Sequence, residues 1–131
     1  MIIEQALLDE LVDASTVSTL VGDRIYYDLA PQNITYPYIT IHNISGVRDH
    51  THQGPSGLVR AVIQFSIWSS KYVQGKTIAA AIAGVIDGWQ ATTMQSTYVG
   101  ECSSIDESDN GYNHDTKSHH LSVDYRVWYN E

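Results

Sequence analysis

Leu58-Val59-Arg60-Ala61-Val62-Ile63-Gln64-Phe65-Ser66-Ile67-Trp68 alternates between two kinds of side chain. Val59, Ala61, Ile63, Phe65 and Ile67 fall on one side of an extended chain. Arg60, Gln64 and Ser66 fall on the other, which is the period-2 pattern of a half-buried strand. Burying the five apolar side chains contributes on the order of 8–15 kcal/mol before conformational entropy is subtracted. This stretch is therefore expected at the centre of a sheet with one packed and one wetter face.

The segment ahead of it, Gly46-Val47-Arg48-Asp49-His50-Thr51-His52-Gln53-Gly54-Pro55-Ser56-Gly57, is polar and bracketed by glycine. It is long for a tight hairpin and too polar for a core, so it reads as a projecting loop or hairpin arm. As a hairpin of five or six residues a side it would reach about 15–20 Å. Arg48, Asp49, His50, Thr51, His52 and Gln53 are its candidate interface residues.

Working outward, Ile3, Leu7 and Leu11 repeat at helical spacing and predict an amphipathic helix over Ile3–Val12. Ser15 is placed to cap a further turn through Leu20, with Gly22 at a left-handed end. Arg24–Tyr27 is a brief extended piece, and Leu29–Pro37 has loop chemistry. Tyr38–Ser45 predicts a strand with Ile39 and Ile41 inward, whose phase slips at Asn43-Ile44 as at a bulge. Lys71–Asp87 predicts the longer helix, capped from Ser69-Ser70, with a stripe of Ile78, Ile82, Val85 and Ile86 and alanines that permit close approach to the sheet. Gly88 and Trp89 resemble a helix C-terminal cap with its apolar contact. Thr97–Ile105 reads as a strand and Asp106–Gly111 as an acidic turn. Leu121, Val123, Tyr125, Val127 and Tyr129 alternate inward in a closing strand.

The order of elements predicts an α+β fold over residues 1–131 as one domain. Its sheet is expected to be mostly antiparallel, with four to five strands, two helices on one face and the arm protruding. Trp68 and Trp128 fall on the supposedly wet side of their strands, with Tyr38 as a possible neighbour. They are either a local patch half covered by loops or a second face that meets another copy, since aromatic residues concentrate at interface centres.

Of 131 residues, 43% are hydrophobic and 17% charged, an ordinary globular balance. The net charge of −8, with seven scattered basic residues, argues against a nucleic-acid reader. One cysteine, Cys102, makes no internal disulfide. Met1-Ile2-Ile3-Glu4 has no basic start or long apolar run, and no stretch approaches the roughly 20 apolar residues of a membrane span. The expectation is a soluble, intracellularly made, acidic domain.

The chemistry-bearing residues form no familiar constellation. His50-Thr51-His52 and His119-His120 pair imidazoles, but without the cysteine or carboxylate spacing of a zinc site. Cys102 has no evident base beside it. No nucleophile elbow, phosphate loop or dinucleotide fingerprint occurs. Asp106, Glu107 and Asp109 lack the alternate-oxygen spacing of a calcium loop. No catalytic residue, cofactor or metal is expected; a small metal-dependent enzyme or ligand-binding domain built on the histidines is the reading from a different class.

Several segments carry a likeness: Val21-Gly22-Asp23-Arg24-Ile25-Tyr26, Ala30-Pro31-Gln32, Tyr36-Pro37-Tyr38-Ile39-Thr40, Ser45-Gly46-Val47-Arg48-Asp49-His50, the Gly54–Gly57 turn, Gln64, Trp68 and Tyr125-Arg126-Val127-Trp128-Tyr129. In matching order and spacing they resemble the tail completion proteins of long-tailed bacteriophages and prophages, relatives of the tail terminators. The likeness is weakest at Thr92–Gln95 and His114–His120. It implies an α+β virion structural protein without catalytic residues, assembled in the host bacterial cytoplasm. Such a protein forms a ring, typically six-fold, on the head-proximal end of the tail tube; if the tube end acts as template for the ring, a monomer is expected when the chain is free. It meets the tail tube protein below and the head connector above, with no membrane contact and no specific nucleic-acid binding, although DNA passes through. A head-closure or minor tail protein is the neighbouring alternative. The acidic balance suits such a channel, because like charge disfavours adsorption of phosphate.

Overall fold

The computed structural model describes residues 3–22, 24–28, 35–51, 54–87, 89–94, 97–114 and 117–130. Two short helices open the chain, α1 (Ile3–Asp13) and α2 (Ser15–Val21). Ala14 adopts extended backbone between them, and Gly22 ends α2 at φ 63° with its N–H donated to Ser18 O at 2.8 Å. Glycine alone takes that conformation without a Cβ penalty. Ser15 is the first residue of α2 and provides no side-chain cap, so the expected cap is corrected.

The short strand β1 (Ile25–Tyr27) runs parallel to β2 (Tyr38–Thr51), through the pairs Ile25 with Ile39 and Tyr27 with Ile41. β2 turns back antiparallel into β3 (Gly54–Ser69), and α3 (Tyr72–Ile86) follows. β4 (Trp89–Met94), β5 (Thr97–Asn113) and β6 (Ser118–Asn130) complete one six-stranded sheet in the order β1-β2-β3-β6-β5-β4. All pairings after the first are antiparallel.

The alternation in β3 governs the layering. Val59, Ala61, Ile63, Phe65 and Ile67 are sealed, as are Leu121, Val123, Tyr125, Val127 and Tyr129 on its neighbour β6. They join Ile39 and Ile41 of β2 in one cluster with Ile3, Leu7 and Leu11 of α1, Val17 and Val21 of α2, and Ile78, Ile82 and Ile86 of α3. The helices therefore cover one face. Polar ties fix their ends to the sheet, among them Asn43 Nδ2 donating to Glu4 Oε1 at 2.7 Å and Asp87 Oδ1 accepting the Ser104 N–H at 2.9 Å.

The α+β class and the mostly antiparallel sheet stand. Among the described residues the strands number six: the brief extended piece at Arg24–Tyr27 supplies β1, β4 is added at the other margin, and α2 makes a third helix. The slip at Asn43-Ile44 is a bulge, since Asn43 pairs with Ile63 and Ser45 with Val62, leaving Ile44 as the extra residue. The acidic turn expected over Asp106–Gly111 is corrected: these residues continue β5 to Asn113, opposite β6. Their polarity marks an exposed strand rather than a reversal. Trp89 begins β4, and its side chain and the whole of Gly88, on which the expected cap falls, lie outside the described residues. Ser69-Ser70 caps no α3 N–H: the N-cap is Lys71, and Ser69 Oγ donates to Lys71 O at 2.8 Å.

Candidate functional site

The arm is a continuation of the central hairpin. Arg48 pairs with Val59, His50 with Pro55 and Thr51 with Gly54, joined through 52–53. β6 pairs with β3 only from Leu58 onward, so the hairpin passes the end of its neighbour by about four residues a side. At about 3.3 Å per residue this is roughly 13 Å, shorter than the 15–20 Å expected. The side chains of Arg48, Asp49, His50 and Thr51, and the whole of His52 and Gln53, lie outside the described residues.

The sheet face without helices is described in detail, and strand register arranges it in rows. The first row is aromatic: Tyr38 on β2 stands opposite Trp68 on β3, which stands opposite His120 on β6. The Trp68 and His120 rings stack at 3.9 Å and 7°, and the Tyr38 and Trp68 rings at 6.1 Å and 17°. Tyr36 extends the stack on Tyr38 at 5.5 Å. Offset rings at these separations attract beyond their buried area.

Thr40, Ser66 and Ser122 form the second row and are only 4–5% exposed, because larger side chains flank them on both sides. His42, Gln64, Asp124 and Asp106 make the third row. His42 joins Thr40 Oγ1 through Nε2 at 3.0 Å and Asp28 Oδ1 through Nδ1 at 3.1 Å. Burial, then the approach of His42, holds the His120 imidazole below its ordinary range. Burial, then the Asp106 carboxylate, pushes Asp124 above the usual carboxylate range, partly offset by a hydrogen bond from Gln64. One oxygen of Asp124 and Nε2 of His120 are buried without a hydrogen-bond partner among the described residues.

Beyond this the face carries two arginines, with Glu101 of β5 at the register position opposite Trp128. Arg126 stands opposite Val62, and Arg60 opposite Trp128. The Arg60 guanidinium carbon lies 4.9 Å from the Trp128 ring centre, a cation–π contact. Ser45, Arg60, Ala61, Val62, Arg126 and Trp128 line a shallow open depression there.

Trp68 and Trp128, singled out from the sequence, thus share one face but anchor different ends of it. Both are half-buried. The partners that complete each end, Tyr36 and His120 in one case and Arg60 and Arg126 in the other, escaped the sequence reading. Only the register between 58–69 and 119–130 brings them together, and strand alternation alone could have hinted at it.

The other candidates are dispersed. His119 and His120 face opposite sides of β6, His119 lying against Tyr112 at 4.8 Å and Tyr72 at 5.9 Å. Cys102 is fully buried in the core. Asp109 accepts a hydrogen bond from Tyr72 Oη at 3.0 Å and pairs with Lys76 at 3.3 Å. Among the described residues no three His, Cys, Asp or Glu converge in a way that could hold a metal. No described helix is long and apolar enough to cross a membrane. The arrangement offers shaped, chemically graded surface and an extended arm.

No curated protein matches the sequence. Among solved structures, a chain described as part of the virion of a native gene transfer agent particle superposes with a TM-score of 0.81 at 12% identity, covering 98% of this chain and 95% of that one. At that identity the likeness is one of fold. The sequence itself matches the family described as tail completion protein gp17 over residues 5–130, nearly its whole length, and so the chain belongs to that family.

Proposed function

We propose that this protein completes a phage or prophage tail by capping the head-proximal end of the tail tube as a ring, typically six-fold, and that the ring forms the surface joining tail to head. The observation that carries this reading is the family match across residues 5–130. The graded sheet face and the hairpin arm support it as surfaces suited to contact with a neighbouring chain. The partners are further copies of the chain, the tail tube protein and the head connector, within the virion after assembly in the host cytoplasm. The protein acts as a joint and performs no reaction. DNA passes the ring without specific binding, since an acidic wall repels phosphate.

Arg48, Asp49, His50, Thr51, His52 and Gln53 place the arm contact, and Trp68 and Trp128 the face contact. Electron microscopy of particles made without the protein tests the role: overlong or unjoined tails support it, whereas filled heads that leak DNA assign the protein to head closure. Deleting residues 50–55 removes only the hairpin tip and leaves every pairing from Arg48–Val59 inward. That variant is expected to fold and to fail in tail completion. Normal tails from it would refute the arm's role.

A further inference from the structure

We infer that neighbouring copies join edge to edge into one continuous sheet through a stepped joint. β4 of one copy lies along the outer edge of β2 in the next, at residues 45–48. The next copy's β1 lies along the outer edge of the first copy's β5, at residues 106–109. This rests on the ring reading above and names the edges that would form it.

Both margins of the sheet are stepped. β1 pairs with β2 only over residues 39–41, so no described strand lies on the outer edge of β2 beyond them. β4 pairs with β5 only over residues 97–102, which leaves the outer edge of 103–113 open in the same sense. Bulges at residues 44 and 49 bound one regular run on β2, 45–48, and bulges at 105 and 110–111 bound one on β5, 106–109. Bulges usually close an edge to strand addition; here they leave one open run of four residues at each margin.

Register fixes the height of each step. Ile25 is level with Ile39, Ile67, Leu121 and Asp109 across the sheet, and Tyr27 with Ile41, Phe65, Val123 and Glu107. At the other margin Trp89 is level with Cys102, Val127, Ala61 and Gly46, and Thr92 with Val99, Tyr129, Val59 and Arg48. Each protruding strand therefore stands at the height of the open run on the opposite margin. Two copies set side by side, with the same face and the same end up, fit without a vertical shift. Direction agrees as well: β1, β2 and β4 run one way and β5 the other. The joint adds β4 parallel to β2 and β1 antiparallel to β5, both regular ladders. Unlike edges meet, so the contact is head-to-tail, the type that closes into a ring.

Exposure marks the same edges. Four of the six large apolar side chains exposed among the described residues, Tyr27, Ile44, Ile105 and Tyr112, stand on these marginal strands. Shape rather than charge selects the partner. Asp28, one residue past β1, comes level with Asp106, and its side chain is 91% exposed. Those carboxylates oppose the joint until salt screens them.

The test is disulfide formation between two singly substituted chains, Tyr27→Cys and Glu107→Cys, mixed at high concentration and oxidised. Opposed residues of an antiparallel pair lie about 4.5–5.5 Å apart at Cα, within disulfide reach. Cys102 is buried, and the unsubstituted chain gives its background. The mixed product is expected to exceed both self-products several-fold. It should exceed as clearly the product of Tyr27→Cys with Val73→Cys, a position 73% exposed on α3. Raising salt to about 1 M, where the screening length is about 3 Å, should increase it. Asp28→Asn in one chain with Asp106→Asn in the other should do the same at low salt. A chain carrying both cysteines, built into completed tails, should give a ladder of covalent multimers ending at one size. Tyr26→Cys with Ser108→Cys tests the adjacent row, and circular dichroism shows that each variant keeps the fold.

A mixed product no more abundant than the Val73 control, in solution and on tails alike, would overturn the joint. So would a product that falls as salt rises, or a disulfide from Glu107→Cys to the tail tube protein, which would make that protein the occupant. Completed tails without the ladder would overturn the joint and leave the ring reading standing. Normal, joined tails in particles lacking the protein would overturn the ring reading instead.

Discussion

Phe65→Ala and Trp68→Ala, made separately, probe opposite faces of one strand three residues apart. Phe65 is 0% exposed and meets Tyr125 edge-to-face at 5.6 Å. Truncating a sealed phenylalanine removes its transfer free energy and leaves a cavity, a loss of about 3–5 kcal/mol. Trp68 is larger but half-buried, and it stacks on His120 and Tyr38 on the helix-free face. Water can refill the space it leaves, so the loss is chiefly that of two ring pairs, about 1–3 kcal/mol in all at roughly 0.5–1.5 kcal/mol each. Against a total stability of about 5–15 kcal/mol the difference is measurable. Urea unfolding followed by circular dichroism gives both values, provided the slope m is unchanged. Tail completion with the same variants should rank the other way, with Trp68→Ala the more damaging per unit of stability lost. Equal losses of stability at equal m would refute the reasoning, because the helix-free face would then be as much core as the helix-covered one.

The His120 imidazole is held below its ordinary value of 6.5, chiefly by burial and then by His42. The unfolded chain therefore binds this proton first on acidification, and stability falls as the pH drops below about 6.5. His120→Gln should flatten that fall in urea unfolding at neutral and mildly acidic pH; an unchanged slope would contradict the assignment. Asp124 is displaced the other way, so its charged form costs stability as pH rises above its ordinary 3.8. Asp124→Asn is expected to stabilise the protein at neutral pH by about 0.2–1 kcal/mol, the range for relieving a like-charge cross-strand pair. Thermal melts of the two forms decide it, with destabilisation the adverse result. Burial, followed by Asp87, Cys102 and Glu107, raises the Tyr125 phenol well above the ordinary 10.0. The unfolded phenol ionises first, so stability is lost as pH rises above that value. An absorbance titration of the nine tyrosines should show the Tyr125 phenol ionising only as the chain unfolds, a step that is missing from Tyr125→Phe.

Most of the candidate site was visible in outline but not in composition. The alternation of 58–68 and 121–129 already put Trp68 and Trp128 on the face away from the core, and the phase slip at Asn43-Ile44 announced a bulge that is present. What each tryptophan touches was hidden. His120 reaches Trp68 across fifty residues of sequence, and Arg60 reaches Trp128 across more. Sequence periodicity describes one strand at a time and says nothing of which residue lies opposite. The acidic run at 106–109 misled for the same reason. Charged residues mark solvent exposure, which a turn and the outer part of a marginal strand share.

Local periodicity by itself determined the layers of this protein: which residues face inward, that helices cover one side, and that a polar hairpin projects. These follow from side-chain direction, a property of neighbours along the chain. Only the tertiary structure decided the strand order and the register, because backbone pairing is indifferent to side-chain identity until packing selects one alignment. That alignment sorts the helix-free face into aromatic, hydroxyl, acidic and basic rows. It also sets one exposed isoleucine at each margin of the sheet.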